Sequence, residues 1–206
     1  YGDYISEDIS VVHRGYDVGG LIGYGTYGNV DYADVEADIY GQREVGGIAG
    51  EWYYGSIAHS SFAGTLTGSR GVIDADVSNM GGAVGYFEEG AVDTTSVNVT
   101  ININFSGKSS RARYVGGFVG GTEYSSMSGN SVSGEISIVD DTPKGWDIGG
   151  FAGYMEYGAV VRDTTVNVDI STTAMKVGGV TGELTNGARV VGVAFDGSVI
   201  SQQDRV

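Results

Sequence analysis

The chain of 206 residues contains no cysteine and a single proline, Pro143. Without thiols it has no disulfide, no thiolate nucleophile and no thiolate metal site. Basic residues are few, since 11 Lys and Arg stand against 26 Asp and Glu and give a net charge of -15. Nucleic-acid binding needs a basic footprint and anionic lipid repels an acidic chain, so neither partner is expected. No apolar run approaches the roughly 18 residues of a membrane helix, so no membrane span is predicted.

Glycine, in contrast, is abundant at 37 residues, and a hydrophobic share of 41% is too high for a disordered acidic tail. The pattern apolar-Gly-Gly-apolar-x-Gly occurs six times, and the starts of successive copies lie 27 to 35 residues apart. The copies are Val18–Gly23, Val45–Gly50, Met80–Gly85, Val115–Gly120, Ile148–Gly153 and Val177–Gly182.

The sequence after each motif also repeats. A glycine or serine lies five residues beyond the motif, and an apolar residue follows it: Val30, Ile57, Val92, Met127, Val160 and Val190. An alternating run then begins at Val35, Phe62, Val97, Val132, Val166 and Phe195. Six copies of this three-part pattern indicate one structural unit that is used repeatedly.

The alternating runs indicate strands with one buried face. In SVNVTININF, residues 96–105, the apolar residues share one parity, and the polar residues, Asn98 and Asn104 included, share the outward one. We therefore predict an all-β fold, a β-solenoid or stack of β-arches, in one repeat domain over residues 1–206. Residues 1–17 form an N-terminal half repeat, and six repeats of about 27–35 residues begin near 18, 45, 80, 115, 148 and 177.

The glycine pairs are predicted to be structural, where the backbone turns sharply or where strands approach closely, and the sequence leaves these two roles open. The pairs are Gly19 and Gly20, Gly46 and Gly47, Gly81 and Gly82, Gly116 and Gly117, Gly149 and Gly150, and Gly178 and Gly179. Stacked coils should also align the residues before the mid-repeat glycine into an aromatic ladder, interrupted by Glu89 and consisting of Tyr27, Tyr54, Tyr124 and Tyr157.

The segments VGGIAGEWYYGSIAHSSFAGTLTG and VGGFVGGTEYSSMSGNSVSGEIS resemble the GLUG repeat of bacterial and archaeal surface proteins. This resemblance covers nearly the whole chain and implies a repeat architecture of the kind found in adhesins, in surface-anchored proteases outside their catalytic domains, and in other secreted proteins. The sixth repeat departs from the pattern, because Thr181 and Arg189 stand at positions that are normally apolar. That coil is expected to be an atypical end.

No catalytic residue and no cofactor are predicted, and the chain is expected not to be an enzyme. A phosphate loop needs a helix after its glycines, and none is indicated after any of the six motifs. The two histidines, His13 and His59, have no nucleophile elbow nearby. The carboxylate pairs considered for glycoside hydrolysis lack a flanking aromatic cleft: Asp74 and Asp76, Glu88 and Glu89, and Asp140 and Asp141.

Two weaker expectations concern ligands and modification. Scattered acids could bind calcium weakly, although no calcium-binding motif is present: Asp31, Asp34, Asp74 and Asp76. Asn98 and Asn104 begin the sequons Asn98-Val99-Thr100 and Asn104-Phe105-Ser106, which are candidate sites of N-glycosylation at an exposed surface.

The expected function is that of an extracellular or cell-surface structural protein, a homo-oligomer or polymer joined through open strand edges. Its layout is similar to that of the stacked β-arch subunits in the tubular sheath of some methanogenic archaea. A basic stripe in the loops before the motifs is a second candidate contact: Arg14, Arg43, Arg70, Lys108, Arg111, Arg113, Lys144 and Lys176. The alternatives are a stalk or binding module of an adhesin, or the non-catalytic part of a surface enzyme.

Overall fold

A computed structural model describes residues 9–12, 16–68, 76–105, 110–140 and 145–201 of the chain. Every regular element in these ranges is a β-strand, and every strand pairs in parallel, which confirms the predicted all-β solenoid. In the part of the chain that is described, no helix is long and apolar enough to cross a bilayer.

The strands form four parallel sheets, which we label A to D. Along the chain, each coil contributes a strand to sheet B, then to C, D and A. Sheet A is the widest, with the strands β1 (Ile9–Val12), β5 (Asp34–Gly41), β9 (Ser61–Gly68), β13 (Ser96–Phe105), β17 (Ser131–Asp140), β21 (Thr165–Thr172), β25 (Ala194–Phe195) and β26 (Val199–Ser201). Sheet B contains β2 (Val18–Gly19), β6 (Arg43–Gly46), β10 (Val77–Gly81), β14 (Ala112–Gly116), β18 (Trp146–Gly149) and β22 (Val177–Gly178).

Sheets C and D have six strands each, as sheet B does. Sheet C contains β3 (Ile22–Thr26), β7 (Ala49–Tyr53), β11 (Val84–Glu88), β15 (Val119–Glu123), β19 (Ala152–Glu156) and β23 (Thr181–Leu184). Sheet D contains β4 (Asn29–Asp31), β8 (Ser56–Ala58), β12 (Ala91–Asp93), β16 (Ser126–Ser128), β20 (Val160–Arg162) and β24 (Arg189–Val191).

The coils stack in register, so that one repeat position forms a column along the solenoid. The motif valine shows this, since Val18 pairs with Val45 and Val45 pairs with Met80. In sheet A, Ile101 pairs with Leu66 on one side and Ile136 on the other. The register is strongly specified because a slip of one residue would turn every inward side chain outward.

The core is the stack of inward columns, and it is complete only in the middle of the solenoid. Ile39, Leu66, Ile101 and Ile136 are fully buried, whereas Val199, at the end of the same column, is 40% exposed. Each coil therefore shields the apolar face of its neighbours, as a solenoid requires.

Left-handed φ recurs at three positions of the coil, although few of the residues there are glycine. The first position comes directly before the motif and lies inside the sheet B strand in β6, β10, β14 and β18: Asp17, Glu44, Asn79, Tyr114 and Asp147. The corner between sheets C and D has Tyr27, Tyr54, Glu89, Tyr124, Tyr157 and Asn186, and the corner between sheets D and A has Tyr32, His59, Thr94 and Asp163. Left-handed φ is unfavourable for such side chains, so the stacked neighbours must hold the backbone in place at these three positions.

Two details differ from the repeat assignment made from the sequence. Val160 was assigned to the apolar column of sheet D, but Val161 takes that place, pairs with Met127 and is fully buried. The fifth coil has one additional residue, Ala159, in the turn before β20, and this shifts the column by one position. In the last coil the sheet A run is divided into β25 and β26, both of which pair with β21.

Candidate functional site

The three glycines of each motif avoid three different collisions. A Cβ atom on the first glycine would overlap the carbonyl oxygen three residues later in its own coil, as Gly46 would with Ala49. This position therefore serves the tight arch between sheets B and C. The same relation holds for Gly19 with Ile22, Gly81 with Val84, Gly116 with Val119, Gly149 with Ala152, and Gly178 with Thr181.

The second glycine serves the close approach of adjacent coils. A Cβ atom on Gly82 would overlap the carbonyl oxygen of Gly117, the equivalent residue of the next coil. The same overlap would occur for Gly20 with Gly47, Gly47 with Gly82, Gly117 with Gly150, and Gly150 with Gly179. Gly179 differs because no coil follows it in the described structure, and its Cβ would meet the ring of Phe195 at 2.8 Å.

The third glycine packs on the strand that enters the preceding coil. A Cβ atom on Gly120 would lie 2.5 Å from the carbonyl oxygen of Gly85 and 2.5 Å from the amide nitrogen of Met80. The motif thus contains one glycine for a turn and two for contacts between coils, and none of the three has a left-handed φ.

The four tyrosines of the predicted aromatic ladder form two stacked pairs. The rings of Tyr27 and Tyr54 lie 4.8 Å apart, and those of Tyr124 and Tyr157 lie 5.2 Å apart, both nearly parallel. Glu89 occupies the coil between the pairs and separates them. All four rings are exposed, with Tyr27 at 76%, so the pairs form aromatic patches on the surface.

A buried polar column at the corner between sheets D and A was not predicted from the sequence. It contains Ser60, Thr95, Asn130 and Thr164, all buried. Asn130 accepts a hydrogen bond from the backbone N–H of Thr95 at 2.9 Å and donates one to the carbonyl of Val92 at 2.9 Å. A small hydroxyl or amide residue at this position in four repeats is the signal that could have revealed it.

The outer face of sheet C combines tyrosines with stacked carboxylates. Tyr53 donates a hydrogen bond to Glu51 at 2.6 Å, and Tyr86 donates one to Glu88 at 3.0 Å. Burial, together with the neighbouring carboxylates, raises the pKa of Tyr53 and Tyr86, so these phenols remain hydrogen-bond donors. Burial also raises the pKa of Glu51 and Glu123.

A compact ionic cluster joins the fifth and sixth coils. Lys176 donates a hydrogen bond to Glu183 at 2.6 Å and lies 3.3 Å from a carboxylate oxygen of Asp147, which is 3% exposed. Burial, and then a hydrogen bond to Glu183, raise the pKa of Asp147 to about 6. The hydrogen bond from Lys176 lowers the pKa of Glu183, so as the pH falls Asp147 takes up a proton before Glu183 does.

The cluster predicts a pH dependence of stability. Between about pH 4 and 6 the folded chain retains the Asp147 proton that the unfolded chain loses, so the free energy of unfolding decreases as pH rises. Glu44, Glu51 and Glu123, whose pKa values are also raised, act in the same direction. We expect a higher melting temperature at pH 5 than at pH 7.5, measured by circular dichroism.

Asp147→Asn should remove part of this dependence. Asparagine tolerates left-handed φ and carries no charge that burial penalises. The free energy of unfolding should therefore increase by about 1 kcal/mol at pH 7.5 and almost not at all at pH 5, where Asp147 is protonated. Glu135→Gln removes one exposed carboxylate from sheet A and controls for the change in net charge. An equal gain from Asp147→Asn at both pH values would contradict the raised pKa of Asp147.

The basic residues of the predicted stripe contact the chain itself where they are described. Arg43 lies over the ring of Tyr16 at 5.2 Å. Arg113 lies over the ring of Trp146 at 5.0 Å and 3.3 Å from Asp76. Arg14, Arg70, Lys108 and Lys144 lie outside the described residues.

The residues considered for catalysis or calcium are placed as follows. His59 stacks on Tyr32 at 4.9 Å, and its Nδ1 lies 2.9 Å from Asp31. Asp34 accepts a hydrogen bond from Ser61. Within the described ranges, no group of three or more His, Asp or Glu residues could hold a metal ion. His13, Asp74 and Asp141 lie outside those ranges, and Asp140 ends β17.

Asn98 and Asn104 are both exposed on the outer face of β13, as the alternation predicted. Asn98 pairs with Ala63 in the preceding coil and Ser133 in the following one, so its neighbours on the face are small. Whether either sequon is used stays a prediction.

The chain is similar to halomucin of Haloquadratum walsbyi, with 29% identity over 120 residues. The match covers 54% of this chain, and the chain spans about 1% of the length of halomucin. No family model and no solved structure matches the chain, so the resemblance to the GLUG repeat stays a prediction.

Proposed function

We propose that this chain is a non-enzymatic structural protein of the cell exterior that self-assembles through strand edges and lateral packing into a fibre, sheath or surface layer. The observation that carries the proposal is the parallel ladder, which runs in register through all six coils and four sheets. Such a ladder satisfies the backbone of each coil through its neighbours and gives stacked β-structures their toughness.

The extracellular location is supported by the similarity to part of halomucin and by the composition. The chain is repetitive, free of cysteine and acidic, with a sequence pI of about 4.2. A large net charge keeps a protein dispersed at low salt and is screened at high salt. Association of such a chain should therefore increase with ionic strength.

The outermost strands of the described structure support growth at the ends. The last coil exposes apolar residues of its inward columns, with Phe195 at 38% and Val199 at 40%, and its strands have one unpaired edge. Unpaired edges of this kind are templates for pairing with another chain. A second copy, or a further coil of the same polypeptide, would cover them in the same way.

Val199→Lys should abolish growth at this end without unfolding the solenoid. The substitution places a charge on the apolar column above Ile170, where a following strand would have to bury it. We expect the parent chain to form elongated particles at high salt in negative-stain micrographs, and the variant to form none.

The matched control is Ser126→Lys, which places the same charge at an exposed site in the middle of sheet D. It should assemble like the parent chain. A parent chain that remains monomeric at high concentration and high salt would overturn the proposed self-assembly, and a Val199→Lys variant that still elongates would remove the end strand from the mechanism.

A second candidate function, a binding module of an adhesin, is favoured by the exposed tyrosine pairs. Rigid amphipathic rings such as Tyr27 with Tyr54, and Tyr124 with Tyr157, suit contacts with carbohydrate or protein. This candidate predicts a monomer that binds a glycan array and loses binding in Tyr124→Ser. Glycan binding without self-assembly would favour it over the structural role.

A further inference from the structure

We propose that the outer face of sheet A is the surface through which two copies of this chain pack laterally. This inference rests on the proposed self-assembly and names the surface that would mediate it. We define the sheet A face as the outward residues of β9, β13 and β17: Ser61, Ala63, Thr65, Thr67, Ser96, Asn98, Thr100, Asn102, Asn104, Ser131, Ser133, Glu135, Ser137 and Val139.

The first argument is the distribution of charge. The protein has a net charge of -15, yet Glu135 is the one charged residue on the sheet A face. The outer face of sheet C, in contrast, has an acid in five successive coils: Glu51, Glu88, Glu123, Glu156 and Glu183. Because like charges that face each other across an interface are unfavourable, two copies meet most easily through sheet A.

The second argument is the chemistry of the side chains. Hydroxyl and amide groups both donate and accept hydrogen bonds, so a face composed of Ser, Thr and Asn is complementary to itself. A two-fold dimer interface requires this property, because the same patch is used on both copies. Most of these side chains are short, and the strands beneath them are in register, so two such faces can approach closely.

The third argument is area. β13 has ten residues, so at about 3.3 Å per residue the face is about 33 Å wide. With β21 included, which adds the exposed outward Asp169 beside Glu135, four coils at about 4.8 Å span about 19 Å. Two faces of about 600 Å² bury about 1,200 Å² in total, which is at the lower limit of specific interfaces and suits a contact repeated many times in an assembly.

Acidic residues border this face on both sides. In the first coil, Asp34, Glu36 and Asp38 occupy the outward positions of β5 and are exposed. Asp169 is exposed in β21 on the other side, so contact with little charge is restricted to β9, β13 and β17. The same border distinguishes the middle of sheet A from its N-terminal edge and limits how far two copies can slide past each other.

Lateral packing and N-glycosylation of this face exclude each other. Asn98 and Asn104 project from the centre and the rim of the sheet A face, and a glycan on Asn98 would hold two faces apart. Intact-mass spectrometry of native material therefore tests the proposal directly. A glycan on Asn98 in assembled protein would overturn it.

The decisive experiment places a charge of either sign in the centre of the face. Asn102 is exposed between Thr67 and Ser137, and no sheet other than A is altered by its substitution. Asn102→Lys and Asn102→Glu are compared with Ser126→Lys and Ser126→Glu on sheet D, all in the Val199→Lys background, which blocks growth at the C-terminal edge and so prevents end-to-end elongation. Sedimentation velocity at high salt measures the dimerisation constant.

We expect dimers in the Val199→Lys background, about a tenfold or greater weakening by both Asn102 variants, and a change below about twofold for both Ser126 variants. An effect that depends on the sign of the charge, or that Ser126 shares, would mean that net charge controls association and would overturn the assignment of this face. Monomers in the Val199→Lys background would do the same.

The proposed function and this inference fail separately. A parent chain, with Val199 intact, that never associates contradicts both. A parent chain that assembles while the Asn102 variants assemble equally well contradicts only the sheet A face. Binding of a glycan that the Asn102 variants lose, in a chain that stays monomeric, would assign the face to carbohydrate.

Discussion

Replacing Gly82 with alanine is expected to destabilise the protein by about 3 kcal/mol or more, a large fraction of the roughly 5–15 kcal/mol that stabilises an ordinary domain. The new Cβ would overlap the carbonyl oxygen of Gly117 and a methyl group of Val97. Neither neighbour can move freely, since the carbonyl of Gly117 accepts a hydrogen bond from the amide of Gly82 at 3.1 Å and Val97 is in the core. The coils would have to separate, and the hydrogen bonds between them would lengthen.

Two control substitutions separate this collision from other effects of adding a methyl group. Gly179→Ala changes the same motif position in the last coil, where the nearest atoms belong to the Phe195 side chain at 2.8 Å. Because that ring is 38% exposed and can shift, the loss should be smaller. Gly158→Ala has no heavy atom within 4 Å but has a φ of 77°, so it should cost only about 1 kcal/mol.

Urea unfolding of the three variants gives the ranking. An argument from backbone conformation alone would make Gly158→Ala the worst, since Gly82 does not have a left-handed φ. An argument from collision between coils makes Gly82→Ala the worst. A loss in Gly158→Ala as large as that in Gly82→Ala would refute the role assigned to the second glycine.

Much of the fold could be predicted from the sequence because a parallel stack in register converts each repeat position into a column. The alternation in residues 96–105 predicted which side chains of β13 are buried, and the spacing of the motifs predicted which residues pair between coils. The same logic placed Tyr27 beside Tyr54. These inferences require only that equivalent residues occupy equivalent places.

The remaining features depend on atoms that periodicity does not specify. The sequence left open whether the glycines serve turns or close packing, because the answer depends on which carbonyl lies opposite each glycine. The one-residue insertion at Ala159 moved Val161 into the place assigned to Val160. Left-handed φ at residues such as Tyr54 and His59 opposes their intrinsic preference, so it follows from stacking and could not be read from residue type.

The sheet A face illustrates the same limit at the surface. The outward parity of Asn98 could be predicted, and it suggested a glycosylation site. The scarcity of charge on the face becomes visible only when three strands from distant parts of the chain lie side by side. That arrangement makes a hydroxyl-rich strand part of a candidate interface.

Trp52→Ala is expected to cost about 3–5 kcal/mol, the usual range for truncating a buried tryptophan. Trp52 is 2% exposed, and its indole leans over the first coil, into space that Gly25 and Gly28 leave open. The residue paired with Trp52 in that coil is Gly25, so the tryptophan fills the core of two coils. Its loss should weaken the N-terminal end of the stack most.

The effect of Gly25→Ala on the free energy of unfolding should then have opposite signs with Trp52 present and with Trp52→Ala. With Trp52 present, the new methyl group would overlap the indole ring and destabilise the protein by about 1–3 kcal/mol. With Trp52→Ala, the same methyl group enters the cavity and should be neutral or stabilising. A double-mutant cycle by urea unfolding should therefore give a coupling energy of about 2 kcal/mol.

Gly187→Ala provides the control for this cycle. Gly187 lies in the last coil, has a φ of 81° and has no heavy atom within 4 Å of its Cβ direction. The loss of unfolding free energy caused by Gly187→Ala should be the same with and without Trp52, because substitutions at residues without shared neighbours have additive effects. If the effects of Gly25→Ala and Trp52→Ala were also additive, the indole would not occupy the first coil. The inference that Trp52 stabilises that coil would then be wrong.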